Sequence, residues 1–112
     1  MKTETFIYDN NEYIIQIGKN KNENWELIDN ASNTDIWFHI EDQPSCHVVL
    51  KNEDLVKNIP KQVIKRCAYL CKINSAAKTM SKCNVNYAPI SSVMKTNIVG
   101  QVNVQSYKTV ST

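Results

Sequence analysis

Residues 35–50 read DIWFHIEDQPSCHVVL and predict two adjacent strands joined by a turn at Pro44. Successive side chains of a strand point to opposite faces, so each strand of this pair divides its residues into two sets. One set is apolar and consists of Ile36, Phe38, Ile40, Cys46, Val48 and Leu50. The other set contains Asp35, Trp37, His39, His47 and Val49. The strand pair therefore has two distinct faces, one for a core and one that carries polar and aromatic groups.

The chain before this pair predicts a β-hairpin followed by a short helix. Two β-rich runs, residues 5–9 and 12–18, flank an Asp-Asn-Asn segment whose residues tolerate the backbone conformations of a tight turn. Residues 20–28 are polar apart from three apolar anchors, and Asn20 or Asn22 supplies an N-cap for a short helix.

The clearest helical pattern lies after the pair, over about residues 60–75. Pro60 suits the first turn of a helix, where its missing N–H is not needed. An apolar stripe recurs with the helical period at Val63, Ile64, Cys67, Leu70 and Cys71. The opposite side carries Lys61, Lys65, Tyr69 and Lys72. This stripe predicts a helix that packs on one face of a sheet.

The rest of the chain predicts further strands. Residues 83–87 alternate in polarity, residues 91–96 are irregular, and residues 98–104 and 107–110 are typical of closing strands. Gly100 indicates a bulge or a close approach of the backbone. The order of elements predicts one α+β domain over residues 1–112, a mostly antiparallel sheet with one main helix packed on a face.

Length and composition exclude several classes of protein. The chain has 112 residues, of which 42% are hydrophobic and 21% charged, so it is neither a disordered tail nor a membrane span of roughly 20 apolar residues. Only two glycines occur, which excludes glycine-rich phosphate loops. The four cysteines lack Cys-x-x-Cys spacing and no secretion signal precedes them, so we expect free thiols in a cytoplasmic protein.

Charge is divided unevenly along the chain. Residues 1–54 hold all eleven acidic side chains and four lysines, for a net charge of −7. Residues 55–112 hold nine Lys or Arg and no acid, for a net charge of +9. A basic half of this kind predicts a surface for a polyanion, unless the two halves fold together and neutralise each other.

Lysines of the basic half are the candidate phosphate contacts. No acid shares the long helix, so ion pairing between successive turns does not explain its lysines. The candidates are Lys57, Lys61, Lys65 and Lys72 along one helix face, with Lys78 and Lys82 beyond it. The alternative is an ordinary solvated helix face.

The polar face of the strand pair supplies candidates for local recognition. Neighbouring strands bring His39 and His47 together near the Asp35 carboxylate and the Trp37 indole. A histidine donates hydrogen bonds to phosphate or base edges, and an indole face stacks on a base. The alternative is structural, with Trp37 in a core and His39 bonded to Asp35 to fix a strand end.

The same residues make a weak case for a metal or for catalysis. The spacing between His39 and the adjacent Cys46 and His47 is not a common ligand pattern. Neighbours in a strand point to opposite sides, so Cys46 and His47 do not form a nucleophile pair. We expect no metal, no cofactor and no enzymatic activity, and an enzyme acting on nucleic acid through Asp35 and the two histidines ranks last.

Five segments, in order, resemble the NFACT-R domain family. Residues 35–50 are similar to the family's acid, Trp-x-His, Pro-containing turn and second His before an apolar strand. Four further segments agree, namely residues 17–27, 59–75, 85–87 and 100–110. The chain departs from the family pattern at Trp25, where an acid is common, at Ser45-Cys46, where Gly-Ser is usual, and in a shorter, less basic segment over residues 88–98.

The resemblance implies contact with nucleic acid. Multidomain members of the family are ribosome-associated quality-control factors that bind peptidyl-tRNA and the large ribosomal subunit. The implied partner is therefore RNA, either tRNA or ribosomal RNA, and the ribosome with it. A second group, more similar to this chain, has one such domain followed by a coiled coil and includes a DNA-sensing membrane protein. DNA binding and a protein-interaction adaptor role with an incidental basic patch are the alternatives.

Overall fold

The computed structural model describes residues 1–112 and is built around a six-stranded sheet. Its eight strands are β1 (Lys2–Tyr8), β2 (Asn11–Ile17), β3 (Ile36–Ile40), β4 (Val48–Leu50), β5 (Asn84–Pro89), β6 (Val93–Lys95), β7 (Val102–Val104) and β8 (Lys108–Ser111). The α-helices are α1 (Lys21–Asp29) and α2 (Lys61–Ile73). Single 3-10 turns occupy Val56–Asn58, Ala76–Thr79 and Ile90–Ser92. The predicted α+β class is confirmed.

The two strands predicted from residues 35–50 form the centre of the large sheet. Its spatial order is β1-β2-β4-β3-β5-β8, and every neighbouring pair is antiparallel. Phe38 of β3 lies opposite Val48 of β4 on one side and opposite Tyr87 of β5 on the other. The predicted division into two faces is confirmed, because Phe38 and Val48 belong to one core and Trp37 and Val49 to another.

Helix α2 covers the apolar face of the sheet, as its stripe predicted. The buried side of α2 consists of Val63, Ile64, Cys67, Ala68, Leu70 and Cys71, and these side chains pack with Ile15, Phe38 and Val85 of the sheet. Pro60 is the N-cap, and the Asn74 side chain donates to the Leu70 carbonyl oxygen at 2.8 Å where the helix ends. The observed bounds agree with the prediction to within two residues.

The predicted hairpin and short helix are also present. Asp9 and Asn10 have φ angles of 52° and 63°, the left-handed conformation that a two-residue hairpin turn requires. Of the two candidate caps for α1, Asn20 is the one used, because its side chain accepts a hydrogen bond from the Glu23 N–H at 2.9 Å.

The prediction that residues 91–96 are irregular is wrong in part. Within residues 91–96, Val93–Lys95 is strand β6, which pairs with β7 as a separate two-stranded sheet. The strand predicted from residue 98 begins only at Val102, because residues 98–101 form the turn between β6 and β7. Gly100 has a φ of 85°, and an added Cβ would lie 2.6 Å from the Lys21 Cβ, so the predicted close approach is real.

The second face of the sheet is covered as well, by α1 and the β6–β7 hairpin. Its core consists of Leu27, Trp37, Val49, Ile90 and Val93. Trp37 and Val49 therefore pack under a second layer that the sequence patterns did not predict. All four cysteines are buried free thiols, and no helix is long and apolar enough to cross a membrane.

Candidate nucleic-acid interface

The oppositely charged halves of the chain neutralise each other at few points. Arg66 donates two hydrogen bonds to the Glu4 carboxylate, at 2.7 and 2.8 Å, and Lys95 pairs with Asp29. The other seven cations of the basic half have no Asp or Glu carboxylate within 4.0 Å. Most of the positive charge predicted from the sequence is therefore not used inside the fold.

Four lysines surround one groove of about 620 Å³ between α2 and β8. These are Lys57 on a 3-10 turn, Lys61 and Lys65 on α2, and Lys108 at the start of β8. We call this feature the lysine groove. No Asp or Glu lines it, and its apolar lining comes from Val56, Ile59, Ile64 and Val110, with Tyr87 beside them. Four ammonium groups around one space without a carboxylate favour an anionic ligand.

An aromatic ring also lines the lysine groove. Tyr87 lies directly opposite Lys108 in the pairing of β5 with β8, and its ring stacks on Phe38 with centroids 5.6 Å apart. Burial raises the pKa of the Tyr87 phenol, so its hydroxyl stays protonated at neutral pH. The groove therefore combines cations with a neutral hydroxyl.

The structure brings together only part of the predicted lysine set. Lys61 and Lys65 line the groove, whereas Lys72 is half-buried and donates to a Thr112 oxygen at 3.4 Å. Lys78 and Lys82 are exposed outside the groove. Lys57, which was predicted together with the helix lysines, lies on a 3-10 turn and also lines the groove. Lys108 was not among the predicted contacts, because the β5–β8 pairing that brings it to α2 leaves no local sequence signal.

A cluster of three rings lies on the opposite face of the sheet. The Trp37 Nε1–H donates to His47 Nδ1 at 3.2 Å, and the His39 and His47 ring centroids are 5.1 Å apart. The indole and the His39 ring are stacked at 5.7 Å with 12° between their planes. The strand pairing thus places both histidines beside the indole, as the sequence predicted.

Trp37 is at the same time a core residue. Its side chain is only 4% exposed and packs with Leu27, Val49 and Ile90. A buried indole has no open face for a base, so the stacking role expected for Trp37 is wrong. The structural alternative holds for this residue, and its polar edge serves to orient His47.

Asp35 lies apart from the ring cluster. Its carboxylate is buried and accepts hydrogen bonds from the backbone N–H groups of Ser32 and Asn52, both at 2.9 Å, and from Lys51 Nζ at 3.1 Å. The prediction that the Asp35 carboxylate lies beside the histidines is therefore wrong. The alternative prediction, a hydrogen bond between His39 and Asp35, is wrong as well. Asp35 precedes β3 and ties together the loops that flank the strand pair.

The ring cluster forms one wall of a cavity of about 450 Å³, which we call the histidine cavity. The other lining residues are Gln43-Pro44-Ser45 of the β3–β4 loop, Val99–Val102 at the start of β7, and Lys21 on α1. The Trp25 Nε1–H donates to the Gln101 carbonyl at 3.3 Å, and this hydrogen bond ties the lining segment Val99–Val102 to α1. Trp25, which departs from the family pattern, therefore supports this cavity.

Two residues that sequence reasoning missed position His47. The Asn24 Oδ1 is buried and accepts a hydrogen bond from the His47 backbone N–H at 3.1 Å. Gly18 permits this contact, because an added Cβ would clash with the Asn24 Oδ1. A buried asparagine in an amphipathic helix was the available signal, and only the tertiary contact reveals its partner.

Both histidines are neutral at physiological pH. Burial lowers the pKa of His39, although the hydrogen bond to the Ile40 carbonyl acts in the opposite direction. Burial, and then repulsion from His39, lowers the pKa of His47 from 6.5 to about 3. The histidine cavity therefore contains no imidazolium, and Lys21 is its one charged lining residue.

The histidines and Cys46 do not share a site. Cys46 lies in the α2 core, where its Sγ is 3.5 Å from the Cys71 carbonyl oxygen, whereas His39 and His47 line the cavity on the other face. No group of three or more His, Cys, Asp or Glu side chains is arranged to bind a metal ion.

Comparisons with known proteins agree on one family. Residues 2–106 match the model of the NFACT protein RNA binding domain. The chain is 40% identical over 103 residues to coiled-coil domain-containing protein 25 of Mus musculus, which covers 88% of this chain and 50% of that protein. It is 34% identical over 84 residues to the Rqc2 homolog RqcH of Bacillus subtilis, covering 74% of this chain and 14% of that protein.

A solved structure shares the fold. The C-terminal part of the fibronectin/fibrinogen-binding protein from Streptococcus suis superposes with a TM-score of 0.84 at 26% identity. The match covers 99% of this chain and 45% of that chain. This chain spans half or less of the length of the relatives it matches.

Proposed function

Since this chain belongs to the NFACT protein RNA-binding domain family, we propose that it binds RNA without catalysing a reaction. The setting is translation or ribosome quality control in the cytoplasm, with tRNA or ribosomal RNA as the ligand. The observation that carries the proposal is the lysine groove, where Lys57, Lys61, Lys65 and Lys108 face one space that no carboxylate lines.

The groove suits a sugar-phosphate backbone in charge and in chemistry. Ammonium groups donate to phosphate oxygens and displace counterions, which supplies affinity without sequence preference. Lys61 and Lys65 are one helical turn apart, about 6 Å along the axis, so they project side by side toward one strand. The Tyr87 hydroxyl adds a donor that can reach a phosphate or a ribose.

The non-catalytic part of the proposal is supported by the state of the reactive side chains. Burial raises the pKa of the Cys67 thiol, and hydrogen bonding to Cys46 and then burial raise that of Cys71, so neither is a thiolate. The Asp35 carboxylate already accepts three hydrogen bonds and lies away from the histidines. Ser45 lines the histidine cavity together with both histidines, but its hydroxyl donates to the Cys46 carbonyl at 2.8 Å and accepts from the Ile40 N–H at 3.1 Å, so it is not hydrogen-bonded to either imidazole.

Salt-dependent binding of labelled tRNA tests the proposal. We expect wild-type affinity to fall steeply with salt, with a log–log slope of roughly −0.7 to −0.9 for each neutralised phosphate. The double variant Lys61→Gln/Lys65→Gln should lower the affinity and reduce the slope by about two units. Fluorescence anisotropy over a salt series measures both quantities.

The matched control is Lys78→Gln/Lys82→Gln, which removes the same charge outside the groove. It should change the slope much less than the groove variant does. Equal losses for the two variants would argue against the groove as the binding surface. Absence of binding to both tRNA and a ribosomal RNA fragment by wild type at low salt would reject the proposal, and duplex DNA of similar charge in the same assay would test the DNA alternative.

A protein-interaction adaptor is the second candidate, and one observation favours it. Met94, Ile98 and Val99 of the β6–β7 hairpin are 57%, 54% and 38% exposed, so this hairpin presents three apolar side chains to solvent. This candidate takes precedence if the chain binds neither RNA nor DNA.

A further inference from the structure

Hydrogen bonds inside the protein fix the tautomer of each imidazole in the histidine cavity. His39 Nδ1 lies 2.6 Å from the Ile40 carbonyl oxygen, and a carbonyl oxygen only accepts, so Nδ1 carries the proton. His47 Nδ1 accepts from the Trp37 indole, which only donates, so the proton of neutral His47 is on Nε2. His39 therefore offers an acceptor at Nε2, and His47 offers a donor.

Neither Nε2 atom has a hydrogen-bond partner within the protein, although both rings line the same cavity. A ligand that satisfies both atoms must itself present a donor and an acceptor. A phosphodiester or a carboxylate has only acceptors and leaves the His39 lone pair facing another acceptor. An ammonium group has only donors and fails in the same way at His47. The pair therefore selects an uncharged group with both functions.

The surroundings of the two histidines narrow the class of ligand. A volume of about 450 Å³ accommodates a planar heterocycle, and Pro44, Val99 and Val102 supply apolar contact area for it. A peptide amide also has one donor and one acceptor, but it is uncharged and gives Lys21 no anion at the wall of the cavity. A nucleotide gives Lys21 its phosphate.

We infer that the histidine cavity binds one unpaired nucleobase of an RNA, with His39 Nε2 accepting from the base edge and His47 Nε2–H donating to it. Lys21 contacts the phosphate of the same nucleotide. The base must be unpaired, because pairing in a duplex occupies the edge that the histidines read. This inference rests on the proposed RNA binding and adds a second contact on the face of the sheet opposite the lysine groove.

Nucleoside titrations of the whole 112-residue chain, followed through the ring signals of His39 and His47 in NMR spectra, test the cavity directly. We expect adenosine and uridine to shift both rings, whereas dimethyl phosphate and a blocked dipeptide do not. The variant His47→Asn keeps an acceptor for the Trp37 indole, but its shorter side chain places no donor at the position of the imidazole Nε2, so it should weaken nucleoside binding about three- to tenfold. Shifts with the dipeptide instead of the nucleosides would overturn the inference in favour of a peptide ligand.

A second variant avoids any dependence on core packing. Lys21 is exposed, so Lys21→Gln should fold normally. It should weaken binding of a nucleoside monophosphate about three- to tenfold and leave binding of the uncharged nucleoside unchanged. Equal affinity of wild type and Lys21→Gln for the monophosphate would reject the proposed phosphate contact.

A pair of RNAs separates this inference from the proposed function. Wild type should bind a short unstructured RNA at least fivefold more tightly than an abasic ribose-phosphate chain of the same length. Lys61→Gln/Lys65→Gln should weaken both ligands alike, and His47→Asn should bring the ratio toward one. Equal wild-type affinity for the RNA and the abasic ribose-phosphate chain would overturn the inference that the histidine cavity binds a base. Nucleoside-induced shifts of the histidine signals without salt-dependent RNA binding would overturn only the proposed role of the lysine groove.

Discussion

The lysine groove and the histidine cavity lie on opposite faces of one sheet and differ in almost every physical respect. The groove is lined by exposed cations from distant segments, whereas the cavity is built on two adjacent strands around neutral rings, of which Trp37 and His47 are buried and His39 is half-buried. Contacts made by cations release counterions and depend on salt, and contacts made by neutral groups do not. The two regions therefore separate backbone affinity from base recognition within one small fold.

The largest expected difference between the two regions is in stability. Trp37→Ala should lower the free energy of unfolding by about 3–5 kcal/mol, because it leaves a cavity in the core and removes the indole N–H that donates a hydrogen bond to His47. Lys61→Gln/Lys65→Gln should change it by no more than about 0.5 kcal/mol, because both side chains are exposed. Urea denaturation of the variants measures the difference, and a Trp37→Ala loss below about 1 kcal/mol would mean that the cavity wall is not part of the core.

The contrast also explains what the sequence predicted and what it did not. Alternation along residues 35–50 and the stripe of α2 are local patterns, and they correctly placed the core faces, Trp37 and both histidines. The groove depends on the pairing of β5 with β8, so Lys108 joined it without a local signal. Asp35 precedes the strand, and nearby backbone N–H groups hold its carboxylate where alternation alone did not place it.

Acidification should affect the cavity and leave the groove unchanged. The folded-state pKa of His47 is about 3 against 6.5 for an unperturbed imidazole, so the unfolded chain binds the proton more readily between these values. Stability is fully present above about pH 6.5 and falls as the pH decreases, with a loss from His47 of about 2 kcal/mol between pH 7 and pH 5. The lowered pKa of His39 acts in the same direction.

Unfolding free energies at pH 7 and pH 5 check this expectation. The control is His47→Asn, which does not titrate and should lose less stability over the same interval. No carboxylate or imidazole lines the lysine groove, so the salt slope of RNA binding should not change with pH while the chain stays folded. A wild-type stability that is flat from pH 7 to pH 5 would mean that the cavity admits enough water to hold a charged imidazole.

The smallest expected effect is at Tyr87, where the groove contains its one neutral aromatic donor. Tyr87→Phe keeps the ring that stacks on Phe38 and removes only the hydroxyl, so stability should change by no more than about 0.5 kcal/mol. RNA affinity should fall about two- to tenfold, because one neutral hydrogen bond is lost. The salt slope should not change, because no counterion is released at a phenol.

Lys108→Gln, directly opposite in the pairing with β8, is the matched variant and should reduce the slope by about one unit. Anisotropy measurements on the two variants over one salt series therefore distinguish a hydroxyl contact from a charge contact at adjacent positions. An unchanged affinity for Tyr87→Phe would restrict Tyr87 to packing, and a changed slope would show that its loss had moved Lys108.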